Sequence, residues 1–114
     1  MAPRFGFEAV GEARFPREDL DAEATGLALH KLRPNMRQAF AHRHEQAEEI
    51  YVVLGGDGRM RLDEETIEVG PMDAIRVSPT VVRAFEAGPQ GLEVLVFGAR
   101  HEGDGEILRE DVWG

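Results

Sequence analysis

The stretch "AHRHEQAEEIYVVLGG", Ala41 to Gly56, sets two histidines two apart, then two adjacent glutamates, then an apolar run that stops at a glycine pair. Imidazoles and carboxylates are the usual protein ligands of divalent metals. If these residues lie on strands, side chains alternate between faces, and His42 and His44 point to the same side. On the next strand Glu49, Tyr51 and Val53 share one face, while Ile50, Val52 and Leu54 share the other. The second face is wholly apolar and is expected to be buried. The first sets one carboxylate among apolar neighbours, where an unpaired charge is costly. Two imidazoles with a divalent metal between them would supply the missing partner. Two His and one carboxylate form the facial set used by non-haem iron and related ions, with coordination positions left for a ligand. The blander alternative is a surface hairpin with solvated histidines. The apolar run directly after Glu49 favours the inward site.

Other candidates are read against plainer roles. Gln38 shares parity with His42 and is a candidate for the pocket wall, although surface Gln is common. Tyr51 could donate a hydrogen bond to a ligand or serve as a core aromatic with a satisfied hydroxyl. Phe85 and Phe40 read first as core. His30 and His101 read as surface or satisfied histidines, and Gln46 as a loop residue. Asp73 is expected to serve the turn after Gly70-Pro71. No Ser-His-Asp grouping has support.

Those side chains must be held by short strands. Gly and Pro punctuate the chain at Gly26, Pro34, Gly55-Gly56, Gly58, Gly70-Pro71, Pro79, Gly88-Pro89, Gly91 and Gly98. Between them lie runs of Val, Ile, Leu and Phe, the pattern of an antiparallel all-β domain. Strands are expected near Gly26–Leu32, Gln38–Arg43, Glu49–Leu54, Gly58–Leu62, Glu65–Val69, Ala74–Val77, Arg83–Ala87 and Leu92–Gly98. Gly56-Asp57-Gly58 reads as a tight turn between two of them; "GGDGRM" is no phosphate loop, because no helix follows. "DEET" and "GPMD" read as the next two turns. Glu18–Ala24 reads as a loop rather than a helical turn. Trp113 is expected either to pack back over the barrel or to reach a neighbouring subunit.

The 114 residues suit a single domain, with a core over about 26–98, an N-terminal arm and a C-terminal tail. The absence of cysteine excludes disulfides, thiolate ligands and a cysteine nucleophile. A net charge of −9 argues against a nucleic-acid partner. "MAPRFGFEAVGEARF" does not resemble a secretory leader, and no apolar run approaches the length of a membrane helix. A cytoplasmic location is the expectation.

"HRHEQAEEIYVVLGG" resembles the first motif of the cupin family, in which His-X-His is followed by Glu and then Gly. His42, His44, Glu49 and Gly56 fit it with a four-residue spacer; Glu48 and Gly55 fit a three-residue one, and Glu49 is preferred. Met36 stands where the motif usually opens with glycine. "GPMDAIRVSPTVVRAFEAG", Gly70 to Gly88, is similar to the second motif. There Pro79 takes the proline, while Thr80 stands for the glycine, Arg83 for the last metal-binding His and Ala87 for the Asn. The resemblance covers about Gly26 to Gly98. It implies an antiparallel double-stranded β-helix, a jelly-roll barrel, with Arg83, Val81 and Phe85 looking inward, and a homodimer.

Arg83 leaves three readings open, because a guanidinium neither ligates a metal nor loses its proton. It pairs with Glu49 in a metal-free binding or sensor domain; or it faces an anionic ligand beside a metal on His42, His44 and Glu49; or it turns out to the surface while water completes the coordination. The metal would be iron, manganese, nickel or zinc, and the partner a small polar or anionic molecule touching Arg83, Tyr51, Gln38 and Phe85. For an enzyme, the resemblance implies dioxygenase or isomerase chemistry. A sugar-phosphate isomerase would need an inward basic cluster around Arg83, with Arg43 and Arg76 as candidate members.

Overall fold

Apolar runs bounded by turn residues fold as strands throughout. The computed structural model describes residues 3–6, 13–38, 41–99, 104–108 and 112–113, and among these it has eight strands and no helix. In chain order they are β1 (Ala13–Arg14), β2 (Thr25–Leu32), β3 (Ala41–His44), β4 (Glu49–Leu62), β5 (Glu65–Val69), β6 (Ala74–Val77), β7 (Arg83–Ala99) and β8 (Gly105–Leu108). All pairings are antiparallel, and the architecture is the double-stranded β-helix. Among the described residues no helix is long and apolar enough to cross a membrane.

β7 joins the sheet together. It pairs with β2 from Thr25↔Ala99 to Leu32↔Leu92, with β3 at His42↔Arg83, and with both halves of β4. β5 and β6 pair with opposite ends of β4. The interior is filled by one face of each strand: Tyr51, Val53 and Met60 of β4 meet Phe85, Leu92, Val94 and Val96 of β7, with Val69 and Val77. Fully burying an apolar side chain of this size is worth about 1.5–3 kcal/mol, so this cluster is the main source of stability.

Several expectations need correction. Gly56-Asp57-Gly58 is not a hairpin turn, because β4 runs on through it. Nor do Gly88-Pro89 and Gly91 split β7. The register shifts between Val53 and Gly55 and between Gly56 and Gly58, so the glycines form bulges that bend one long strand. The bend requires glycine. Gly56 has φ +76°, and a Cβ there would stand 2.0 Å from the Gly91 carbonyl oxygen. The face of Ile50, Val52 and Leu54 is also not buried: Leu54 is 45% exposed and the other two are half-buried. The barrel wall is a single layer, and Tyr51 and Val53 on the opposite face fill the interior.

The termini join the sheet. β1 pairs with β2 of the same chain, and β8 pairs with β3 from Ala41↔Leu108 to His44↔Gly105. Trp113 packs back on its own chain, with the Arg37 and Arg59 guanidinium carbons 5.3 and 5.2 Å from its ring centre. Glu18–Ala24 contains no helix; the segment begins as a turn in which the Leu20 N–H donates to the Pro16 carbonyl at 3.0 Å. Asp73 does serve its turn, accepting from the Gly70 N–H at 2.8 Å. Phe40 and His101 lie outside the described residues.

Candidate metal centre

β3 and β4 are joined by a short loop, which lets neighbouring stretches of sequence face each other. Alternation turns His42 and His44 of β3 inward, and the same rule turns Glu49 inward and Glu48 outward. Glu48 pairs with Arg76 at 3.2 Å on the surface. His44 Nε2 stands 3.3 Å from Glu49 Oε1, and His42 Nε2 stands 3.7 Å from the same oxygen. One ligand atom from each of the three residues can be chosen so that all lie within 4.8 Å of one another.

The three residues suit a divalent ion. Donor atoms each about 2.1 Å from a tetrahedral ion stand about 3.4 Å apart, close to the two distances from Glu49 Oε1. Both ring nitrogens of His44 are buried and make no hydrogen bond among the described residues. A buried polar atom without a partner is costly, and a metal on Nε2 would satisfy one of them. Burial lowers the His44 pKa more than the nearby Glu49 charge raises it, which keeps the ring neutral and its lone pair available at neutral pH. Burial also pushes the Glu49 carboxyl up. The close approach of His42, the hydrogen bond from Tyr51 and the charges of the two histidines outweigh it, and the net shift is downward.

Behind Glu49 lies a second layer. The Tyr51 hydroxyl donates to Glu49 Oε1 at 2.7 Å, and burial, with the adjacent Glu49 charge, holds its pKa well above the ordinary value. Arg83 is 0% exposed, and one terminal nitrogen is 3.5 Å from Glu49 Oε1. Its other terminal nitrogen donates to the Ser78 carbonyl at 2.7 Å. The outward reading of Arg83 is therefore overturned: register places it directly opposite His42, and the chain closes over it.

The site opens into a cleft of about 850 Å³, within the usual range for small-molecule sites. Its wall includes His42, His44, Glu49, His30 and Gln38. Gln38 lies in that wall, with its side-chain carbonyl accepting from the Phe85 N–H at 2.9 Å. Arg83, Tyr51 and Phe85, the other expected ligand contacts, lie behind the residues that line the cleft. The Tyr51 hydroxyl is used by Glu49, and Phe85 packs against Tyr51 at 5.3 Å in the core. The basic cluster around Arg83 does not form. Arg76 is exposed and pairs with Glu48, and Arg43 turns outward to Glu106 at 2.8 Å.

Sequence reasoning passed over two residues. His30 is half-buried in the cleft wall, edge-on to Phe15 at 5.8 Å, and burial lowers its pKa. Its position on an inward parity of β2 was the available signal. Asp104 is nearly buried and accepts from the N–H groups of Glu45, Gln46 and Ala47 at 3.0, 2.9 and 2.9 Å. It lies almost 60 residues from that loop, so no local spacing pointed to it.

Comparison with known proteins bears on both fold and family. No curated protein matches the chain. Among solved structures, a cupin protein from Bacteroides fragilis is 24% identical, with 89% of this chain and 86% of that one covered and a TM-score of 0.77. The polyketide cyclase RemF from Streptomyces resistomycificus is 26% identical over 93% of this chain and 84% of that one, with a TM-score of 0.75. A putative sugar phosphate isomerase from Acidithiobacillus ferrooxidans is 21% identical over 82% and 62%, with a TM-score of 0.71. The cupin-domain profile matches residues 28–98, which contain both motif-like stretches and the whole of β4. The chain belongs to the cupin family.

Proposed function

We propose that this protein binds a small molecule in its cleft through a divalent metal held by His42, His44 and Glu49. The observation that carries the reading is the convergence of those three residues at the cleft wall, with His44 Nε2 buried and without a hydrogen bond among the described residues. A divalent ion there would polarise a carbonyl or carboxylate oxygen of the ligand. Tyr51 fixes the Glu49 carboxylate, and Arg83 partly offsets its charge from behind. Arg17, Lys31, Arg33 and Arg37 line the cleft of a chain with net charge −9, which supports an anionic or strongly polar ligand. His30 is held neutral in the same wall, positioned to exchange a proton with a bound ligand. These features, with the likeness to a cyclase, support isomerisation or cyclisation next to a carbonyl. Dioxygenase chemistry would use the same three ligands, and oxygen uptake with candidate substrates separates the two.

A second reading has its own observation. Arg83 is fully buried against Glu49, which suits a metal-free binding domain in which the guanidinium neutralises the carboxylate. Elemental analysis of protein purified without an affinity tag or chelator decides between them. About one equivalent of iron, manganese, nickel or zinc, lost in His44→Ala with the fold retained, supports the metal reading. No metal after soaking favours the Arg83 reading.

The reading includes a homodimer. The outer row of Ile50, Val52 and Leu54, continued by half-buried Leu95 and Phe97 on β7, offers an apolar face to a second copy.

A further inference from the structure

Asp104 lies just before β8, in a segment outside both motif-like stretches. Its side chain is 3% exposed, a position that a carboxylate holds only with strong partners. Three of those partners are the backbone N–H groups of Glu45, Gln46 and Ala47, the loop that joins the two ligand-bearing strands. The Glu45 N–H also lies 3.3 Å from the Asp104 carbonyl, and β8 then pairs with β3, placing Gly105 opposite His44. The fourth neighbour is His44 itself, with Nδ1 3.4 Å from Asp104 Oδ2. The two faces of the His44 ring therefore differ in kind. One nitrogen faces a carboxylate that serves no other side chain among the described residues, and the other faces Glu49 and the cleft.

We propose that Asp104 is a positioning residue for His44. It holds the neutral ring in the Nδ1–H tautomer and aims the Nε2 lone pair at the metal position. A carboxylate beside one imidazole nitrogen favours the proton there and raises the donor strength of the other. The same carboxylate fixes the 45–47 loop, so one residue sets both the orientation of His44 and the distance between His44 and Glu49. The inference rests on the metal reading only for its effect on affinity, because the tautomer is a property of the metal-free protein.

The test uses the full chain at pH 7.5. Two-bond 1H–15N correlation on metal-free protein, with His44→Gln for assignment, is expected to show His44 with Nδ1 protonated and Nε2 bare. In Asp104→Asn one acceptor oxygen becomes an NH2 donor and the charge is lost; the tautomer is expected to mix, and Zn2+ affinity by calorimetry to fall about 10- to 100-fold. A loss of affinity with the tautomer unchanged would reflect loop disorder and would overturn the proposal. So would a wild-type His44 protonated on Nε2. If the wild type takes up no Zn2+ yet shows the Nδ1–H form, and Asp104→Asn disturbs it, the metal reading fails and Asp104 remains the orienting group.

Discussion

Glu49 Oε1 is the most contested atom in the site. Tyr51 donates to it, His42 and His44 approach it, and Arg83 stands behind it. Such crowding ties protonation to stability, and the sign follows from the shifts. His30 and His44 have pKa values below their ordinary 6.5 in the folded chain, chiefly through burial. Between 6.5 and those lower values the unfolded chain binds more protons, so stability falls as pH falls through that window. Glu49, also shifted down, adds a loss of the same sign at lower pH, beginning near 4.5. Urea unfolding of metal-free protein is expected to give a lower midpoint at pH 5.5 than at pH 7.5. The difference should shrink in a His30→Gln, His44→Gln double variant, and an unchanged difference would place the titration elsewhere. Tyr51 and Arg83 also show what the sequence hid at this scale. Alternation turned both inward correctly, but parity does not tell a residue that lines a cavity from one that lies behind the lining.

At the scale of elements, the bends in β4 and β7 decide whether the barrel closes. Gly56 and Gly91 both have φ near +77°, and their backbones touch. Gly56→Ala would add strain of about 1–3 kcal/mol from the left-handed conformation alone, with a backbone clash on top. The expected result is a loss of more than about 3 kcal/mol in chemical denaturation, whereas Gly70→Ala, with open space around its Cβ, should change little. These positions explain where strand reading stopped. Periodicity located β2, β5 and β6 within a residue, because each has a clear turn at its ends. A glycine pair inside an apolar run fits a hairpin or a bulge equally well until the partner strand is known. Asp104 and β8 were illegible for a related reason: their partners are far away in sequence, and local residue types do not record them. The His42, His44 and Glu49 set was legible because one short loop brings all three together.

At the scale of the whole molecule, the proposed dimer rests on the outer apolar row, where Leu54 is exposed and Ile50 and Val52 are half-buried. A second copy over Ile50, Val52 and Leu54 would cover it. Sedimentation equilibrium is expected to give twice the 12.7 kDa chain mass, and Leu54→Glu to return it to one. A monomeric wild type at micromolar concentration would remove the dimer. The path to this molecule follows from β7, which pairs with β2, β3 and β4. All three precede it in the chain, so each waits for a strand made up to 74 residues later, as at Thr25↔Ala99. Closing such long loops before contacts form is slow, and refolding belongs in the millisecond-to-second regime of non-local β proteins. Until β7 docks, β2 and β4 present unpaired edges, and the chain is then most open to aggregation.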